Sequence, residues 1–223
     1  MRQVGLNVWQ VCAGVFPSNS YVWLGPEPGE AILIDAGLDA QPIDAALTEL
    51  GVRPLAVVCT HGHFDHIGSA AFFQEKYGAP VHLHADDLRA AKAANFLMMA
   101  FKIPAKLKLP RFDLLHGEAG DTVIGGAVVR HRLLPGHSPG SCFLYIGEVL
   151  FSGDTLYASG IGLSKVPGED PVVLRRSLRK VWDEIAPETL VCPGHGRTAR
   201  YADIRIGNRE LAEFLREPCE EKV

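Results

Sequence analysis

Four side chains that bind metals well fall within six consecutive residues, His61-Gly62-His63-Phe64-Asp65-His66. Imidazole and carboxylate donors in this proportion suit zinc, iron or manganese. The preceding Leu55-Ala56-Val57-Val58-Cys59-Thr60 is short, apolar and β-branched, and reads as a buried strand. His61 and His63 leave its end with extended spacing, so both imidazoles can point the same way. Asp65 and His66 come where Ile67-Gly68-Ser69-Ala70-Ala71-Phe72-Phe73 begins a helical pattern. Two ligand pairs therefore face neighbouring points in space. The bland alternative is a polar loop rich in histidine by accident. With 9 His in 223 residues, such a cluster seldom arises by chance.

Three later segments repeat the theme. His137 lies in Leu134-Pro135-Gly136-His137-Ser138-Pro139-Gly140-Ser141, Asp154 in Phe151-Ser152-Gly153-Asp154-Thr155-Leu156, and His195 in Cys192-Pro193-Gly194-His195-Gly196. Each follows a strand-like run, on a loop that a rigid sheet can aim. Ser138 and Cys142 read as turn and core residues rather than nucleophiles. His82 and His84 alternate on one strand and could both face the site, in a packing or supporting role. His116 and His131 lack a ligand-like context.

The elements that must position these residues are short. Strands are expected at Val8–Val11, Ser20–Leu24 and Ala31–Ile34, separated by turn-forming Pro17-Ser18-Asn19 and Gly25-Pro26-Glu27-Pro28-Gly29-Glu30. A helix over Ile43–Leu50 precedes the histidine-bearing strand. A helix over Ile67–Tyr77, a strand at Val81–His84 and a helix over Asp86–Phe101 follow, with Asp86 or Asp87 as its cap. Lys102 to Arg111 is basic and broken by proline. It could line a pocket or form a solvated loop. The apolar Phe96–Phe101 run suits a lid, a dimer contact or core. Strands resume at Thr122–Ile124, Ala127–Leu134, Ser141–Ile146 and Val149–Ser152. A helix over 170–185, a strand at Thr189–Cys192 and a final helix over Ile204–Glu217 close the chain. Two β-rich halves, each followed by helices, predict an α+β protein with two packed sheets and helices outside, one domain over residues 1–223.

Composition narrows the function. A formal net charge of −4 argues against a nucleic-acid binder with a basic surface. No apolar run is long enough for a membrane helix. The N-terminus carries no secretory pattern, and the five cysteines form no C-x-x-C pair. Four of the five lie in apolar, strand-like segments. A cytoplasmic location is the expectation.

Taken in order, these segments resemble the metallo-β-lactamase superfamily, in particular its short, glyoxalase-II-like (hydroxyacylglutathione hydrolase-like) bacterial branch. The resemblance runs from Ser18-Asn19-Ser20-Tyr21 and Ile34-Asp35-Ala36-Gly37 to Pro193-Gly194-His195-Gly196. It implies an αββα sandwich with the site at one edge of two packed sheets. It also implies that His61, His63 and His137 hold one divalent ion, that Asp65, His66 and His195 hold a second, and that Asp154 bridges them. Zinc is the first expectation, with iron or manganese as alternatives. Such a centre hydrolyses esters or thioesters, with Asp65 orienting the nucleophile and shuttling its proton. Its positive charge suits a small anionic substrate.

The chain departs from that branch in places. Full-length glyoxalase II enzymes carry a C-terminal helical region for which this chain is too short. Ile161-Gly162-Leu163-Ser164-Lys165 stands where relatives read Ile-Gly-Arg-Thr-Asp, and Asn208-Arg209-Glu210 where they read Asn-Pro-Phe. Competing readings are a mononuclear-iron persulfide dioxygenase, using residues matching His61, His137 and Asp154, a lactonase, and a metal-binding protein without catalysis.

Overall fold

The computed structural model describes residues 1–218. Thirteen strands are present among them: β1 (Arg2–Gly5), β2 (Val8–Ala13), β3 (Ser18–Leu24), β4 (Glu30–Ile34), β5 (Arg53–Val58), β6 (Val81–His84), β7 (Phe112–Leu115), β8 (Ala119–Ile124), β9 (Ala127–Leu133), β10 (Cys142–Ile146), β11 (Val149–Gly153), β12 (Leu190–Pro193) and β13 (Ala199–Arg200). The helices are α1 (Ala40–Glu49), α2 (Phe64–Ile67), α3 (Ala70–Tyr77), α4 (Leu88–Ala100), α5 (Pro171–Val181), α6 (Tyr201–Gly207) and α7 (Arg209–Arg216).

The first seven strands form one sheet in sequence order. Its members are antiparallel from β1 to β4 and parallel from β4 to β7. The second sheet runs β13-β12-β11-β10-β9-β8, with only β11 and β12 parallel. Side chains alternate between two faces along each strand, and the alternation builds three apolar layers. Ile32, Ile34, Ala56 and Val58 meet Val129, Leu144, Phe151 and Cys192 between the sheets. Leu33 and Val57 face the opposite way, toward Leu47, Phe73, Ala94 and Met98 of the first helical layer. Phe143, Leu150 and Val191 face Leu174, Leu178, Ile204 and Phe214 of the second. The result is the helix–sheet–sheet–helix sandwich expected from the sequence.

Local chemistry sets the helix boundaries. Asp170 caps α5 by accepting from Val172 N (2.9 Å) and Val173 N (3.0 Å), with Pro171 in the first turn. The helix expected over Ile67–Tyr77 is two helices, interrupted at Gly68-Ser69. The final helix, expected to be continuous from Ile204, is broken at Asn208. The Asn208 carboxamide oxygen accepts from Leu211 N (3.1 Å) and starts α7 afresh. A 3-10 turn over Ala85–Asp87 precedes α4. Strands β1, β7 and β13 lack strong alternation and were not expected; each lies at a sheet edge. Met98 is core, whereas Phe96 and Met99 on the same helix face outward, and Phe101 just past its end is half exposed against Phe16 and Phe64. Cys59, Cys142 and Cys192 are buried, whereas Cys12 is exposed on β2, against the expectation of a core role. Cys219 lies outside the described residues.

Candidate metal centre

The seven candidate ligands come from five places on one edge of the sandwich. His61 and His63 follow β5, and Asp65 and His66 sit on the single turn of α2. His137 follows β9, Asp154 follows β11 and His195 follows β12. Because β11 and β12 are parallel neighbours, their C-terminal ends bring Asp154 and His195 together. Gly194 N donates to Gly153 O (2.8 Å) at that junction. Asn19 and Tyr21 of β3 both donate to Pro193 O, at 2.9 and 2.7 Å, and fix the strand end against the first sheet. Cys142 N donates to Thr60 O (2.9 Å) and joins the sheets beside His61.

The structure brings all seven side chains together in overlapping groups. These are His61, His63 and His137; His61, His66 and Asp154; and Asp65, His66 and His195, with donor atoms within 4.8 Å of one another in each. Asp154 lies between the groups. Its Oδ2 is 3.6 Å from His137 Nε2 and 3.4 Å from His195 Nε2, and its Oδ1 is 3.5 Å from His66 Nε2. Asp65 Oδ2 lies 3.2 Å from His195 Nε2 and 3.5 Å from His66 Nε2. Every member except His195 is buried.

The outward ring nitrogens are occupied, which leaves the inward ones free. His61 Nδ1 lies 3.1 Å from Thr60 Oγ1, His66 Nδ1 2.8 Å from Asp35 Oδ2, His137 Nδ1 2.8 Å from Gly162 O and His195 Nδ1 2.9 Å from Pro17 O. Carboxylate and carbonyl partners make Nδ1 the protonated nitrogen of His66, His137 and His195, so a neutral ring turns its Nε2 lone pair inward. His61 Nε2, His66 Nε2 and Asp154 Oδ1 are buried without a hydrogen-bond partner among the described residues. Buried donors and acceptors are rarely left so. Cations held by the overlapping groups would satisfy all three, so this donor set fits metal ions.

The electrostatics divide the histidines into two sets. Burial pushes the His61 imidazole well below its ordinary value, helped by His66, His63 and His137. Burial and His137 likewise hold His63 down at about 4. Burial also disfavours a charged His66, but Asp154, Asp65 and Asp35 outweigh it and raise this imidazole well above normal. Burial opposes charge on His195 too, yet its hydrogen bonds to Asp154 and Asp65 raise it to about 9. For Asp65 and Asp154 burial favours the neutral acid, but the neighbouring histidines prevail and hold both carboxyls well below the usual range. The carboxylates thus draw positive charge to the middle of the site.

Asp35 is the main support. It accepts from Thr60 N (2.7 Å), Thr60 Oγ1 (2.8 Å) and the His66 ring. These bonds hold it at φ 56°, an uncommon conformation for a residue with a side chain. An acid directly after the buried strand Ala31–Ile34 was the sequence signal for this role. Tyr157 stands edge-on to His195 at 6.2 Å with its hydroxyl toward Asp154. Burial and the nearby carboxylates push its phenol far up, so the hydroxyl keeps its proton near neutrality. The loop over residues 161–165 has its own anchor: Ser164 N and Lys165 N donate to Glu169, at 2.7 and 2.6 Å. No sequence feature marked Tyr157 or Glu169. His82 and His84 do not join the ligand groups. His84 Nε2 lies 3.1 Å from Gly117 O, and its ring is 6.0 Å from that of buried His131.

A cavity of about 380 Å³ opens beside His63, with Phe64, Arg89, Ala93, Leu97 and Pro139 in its walls. The basic segment lines a different cleft of about 660 Å³, formed by Asn95, Met99 and residues 102–106. Another cleft, of about 560 Å³, lies near Trp23, Glu148 and Arg200 at the opposite end of β11 and β12. Neither of these touches the candidate ligands.

With this fold and this donor cluster, the chain belongs to the metallo-β-lactamase superfamily, whose profile matches residues 13–195. It is 31% identical over 189 residues to the probable metallo-hydrolase YqgX of Bacillus subtilis, covering 82% of this chain and 87% of that one. It is 32% identical to a hydroxyacylglutathione hydrolase of Anaeromyxobacter dehalogenans, covering 82% of this chain but only 64% of that enzyme. Among solved structures, TTHA1623 in a di-iron-bound form matches with a TM-score of 0.79 and 33% identity, over 90% of this chain and 98% of that one.

Proposed function

We propose that this protein is a dinuclear metal-dependent hydrolase that cleaves a small acyl thioester bearing negative charge. The observation that carries the reading is that His61 Nε2, His66 Nε2 and Asp154 Oδ1 are buried without hydrogen-bond partners among the described residues, where three groups of ligand atoms overlap. His61, His63 and His137 would hold one ion, Asp65, His66 and His195 the other, and Asp154 both. Zinc is the first choice for the pair. The di-iron form of TTHA1623 keeps iron in contention, and manganese suits the same donors. When bound, two divalent ions supply an acidified water and a positive field for a developing oxyanion.

The chain's own residues do the rest. Asp65 Oδ2, 3.2 Å from His195 Nε2 at the middle of the cluster, would orient the attacking water and relay its proton to the departing thiolate. The Tyr157 hydroxyl, kept protonated by burial, would steady the Asp154 carboxylate. The cavity beside His63 offers apolar walls for an acyl or thiol arm, and Arg89, which shares the wall with Asp86, would offer a cation for its acidic group. Its modest volume suits a small molecule. Three buried free thiols are compatible with a cytoplasmic setting.

The test is metal content by elemental mass spectrometry on protein purified without chelator or affinity-column metal, followed by a thioester and lactone panel. Two ions per chain and turnover of an acidic thioester are expected. One iron per chain, with oxygen consumed in the presence of a persulfide, would overturn the two-metal reading.

A further inference from the structure

Asp87 is fully buried where the 3-10 turn runs into α4, and its carboxylate is used up by two distant loops. Its Oδ2 accepts from Gly62 N (2.6 Å), the amide between His61 and His63, and from Ser138 Oγ (2.7 Å), beside His137. Its Oδ1 accepts from Gly140 N (2.6 Å). Ser138 Oγ lies 2.6 Å from Ser141 Oγ, which accepts from Ser138 N (3.1 Å) and closes the turn. Approach is tight enough that a Cβ on Gly140 would stand 2.6 Å from Asp87 N. A plain helix cap would bond the first amides of its own helix, yet Asp87 makes no such bond.

We infer that Asp87 is the positioning residue of the three-histidine half of the centre, the common anchor that holds the His61–His63 loop against the His137 loop. The inference rests on the metal-binding reading above. His63 and His137 come from different sheets, 74 residues apart, and their facing nitrogens are 2.9 Å apart. The Cys142 N to Thr60 O bond ties the sheets nearby, but Asp87 is the acceptor on which an amide of each loop ends, and it sets one loop directly against the other. The other half of the centre is held by a separate acid, Asp35, through Thr60 and His66. Asp35 also reaches His61 through Thr60 Oγ1, whereas Asp87 bonds only the two loops of the three-histidine half, so its loss should fall first on that half.

The experiment is stepwise Zn²⁺ binding, by competition with a chromophoric chelator, for wild type, Asp87→Asn, Asp87→Ala and Ser138→Ala. Cobalt spectra and melting of the metal-free proteins accompany it. Asp87→Asn retains the side chain's size but turns a donor toward an amide. A loss of about 10–100-fold in affinity for one ion is expected, with the second ion little changed. The cobalt spectrum of the weakened site should broaden, and Ser138→Ala should show a smaller effect at the same site. Unchanged binding in both Asp87→Asn and Ser138→Ala would overturn the inference, as would equal weakening of both ions. A wild type that takes up no ion refutes the metal reading itself, a result distinct from unchanged variants of a metal-binding wild type.

Discussion

Gly194→Ala puts one methyl group into the centre and tests whether its geometry is as tight as the distances imply. A Cβ at this position would stand 2.0 Å from Asp154 Oδ1 and 2.6 Å from His66 Cε1. Ordinary contact begins near 3.4 Å, so the carboxylate would have to retreat by more than 1 Å. It has no room, since its other oxygen faces His137 and His195. Nor can the backbone swing away. Gly194 N is bonded to Gly153 O (2.8 Å) and its carbonyl to Asn19 N (2.7 Å). Overpacking of this kind costs about 1–3 kcal/mol. For a chain of this size that lowers the melting temperature by roughly 2–12 °C. A displacement near 1 Å at reacting groups costs about 100-fold in rate. The expected variant is folded, melts a few degrees lower, and loses at least one ion and about two orders of magnitude in kcat/KM. Gly207→Ala is the control: no atom crowds that position, so it should match wild type. Circular-dichroism melting, elemental mass spectrometry and kinetics on one thioester read all three effects. A Gly194→Ala protein with full metal content and wild-type kcat/KM would refute the reasoning.

Other consequences are as direct. Asp35→Asn keeps one acceptor but turns a donor toward Thr60 or His66, and should cost about 1.5–3 kcal/mol in urea unfolding; an unchanged midpoint would contradict the support assigned to it. Asn208→Ala removes the cap of α7 and the bonds from its amide nitrogen to Tyr157 O and Gly160 O. It should destabilise by about 1–3 kcal/mol in the same assay, and a loss within error would show that the helix break is not held by this residue. Under native conditions a thiol reagent followed by peptide mapping should label Cys12 but not Cys59, Cys142 or Cys192. Burial pushes these three thiols up and hides them from the reagent, so rapid labelling of any of them would contradict the packing.

Much of the candidate site was legible in the residues themselves. His61, His63, Asp65 and His66 are close in space because they are close in sequence, and a strand end followed by one helical turn can hardly separate them. Short continuous apolar runs bounded by turn residues specified β4, β5, β10 and β11, and with them two sheets covered by helices. Other boundaries were hidden because a few bonds decide them. Gly68-Ser69 and Asn208 each divide what periodicity alone would join.

Tertiary structure decided what had no local cause. The position of His137 relative to His63 depends on pairing across two sheets and on Asp87, which from the sequence is merely an acid before a helix. His82 and His84, as plausible by spacing as His61 and His63, end up away from the ligand groups because β6 runs one strand further along the sheet. Sequence determined which donors the chain possesses, since that is chemistry carried by each side chain. Only the fold decided which of them share one small volume, because convergence depends on long-range packing and on which buried groups find a partner.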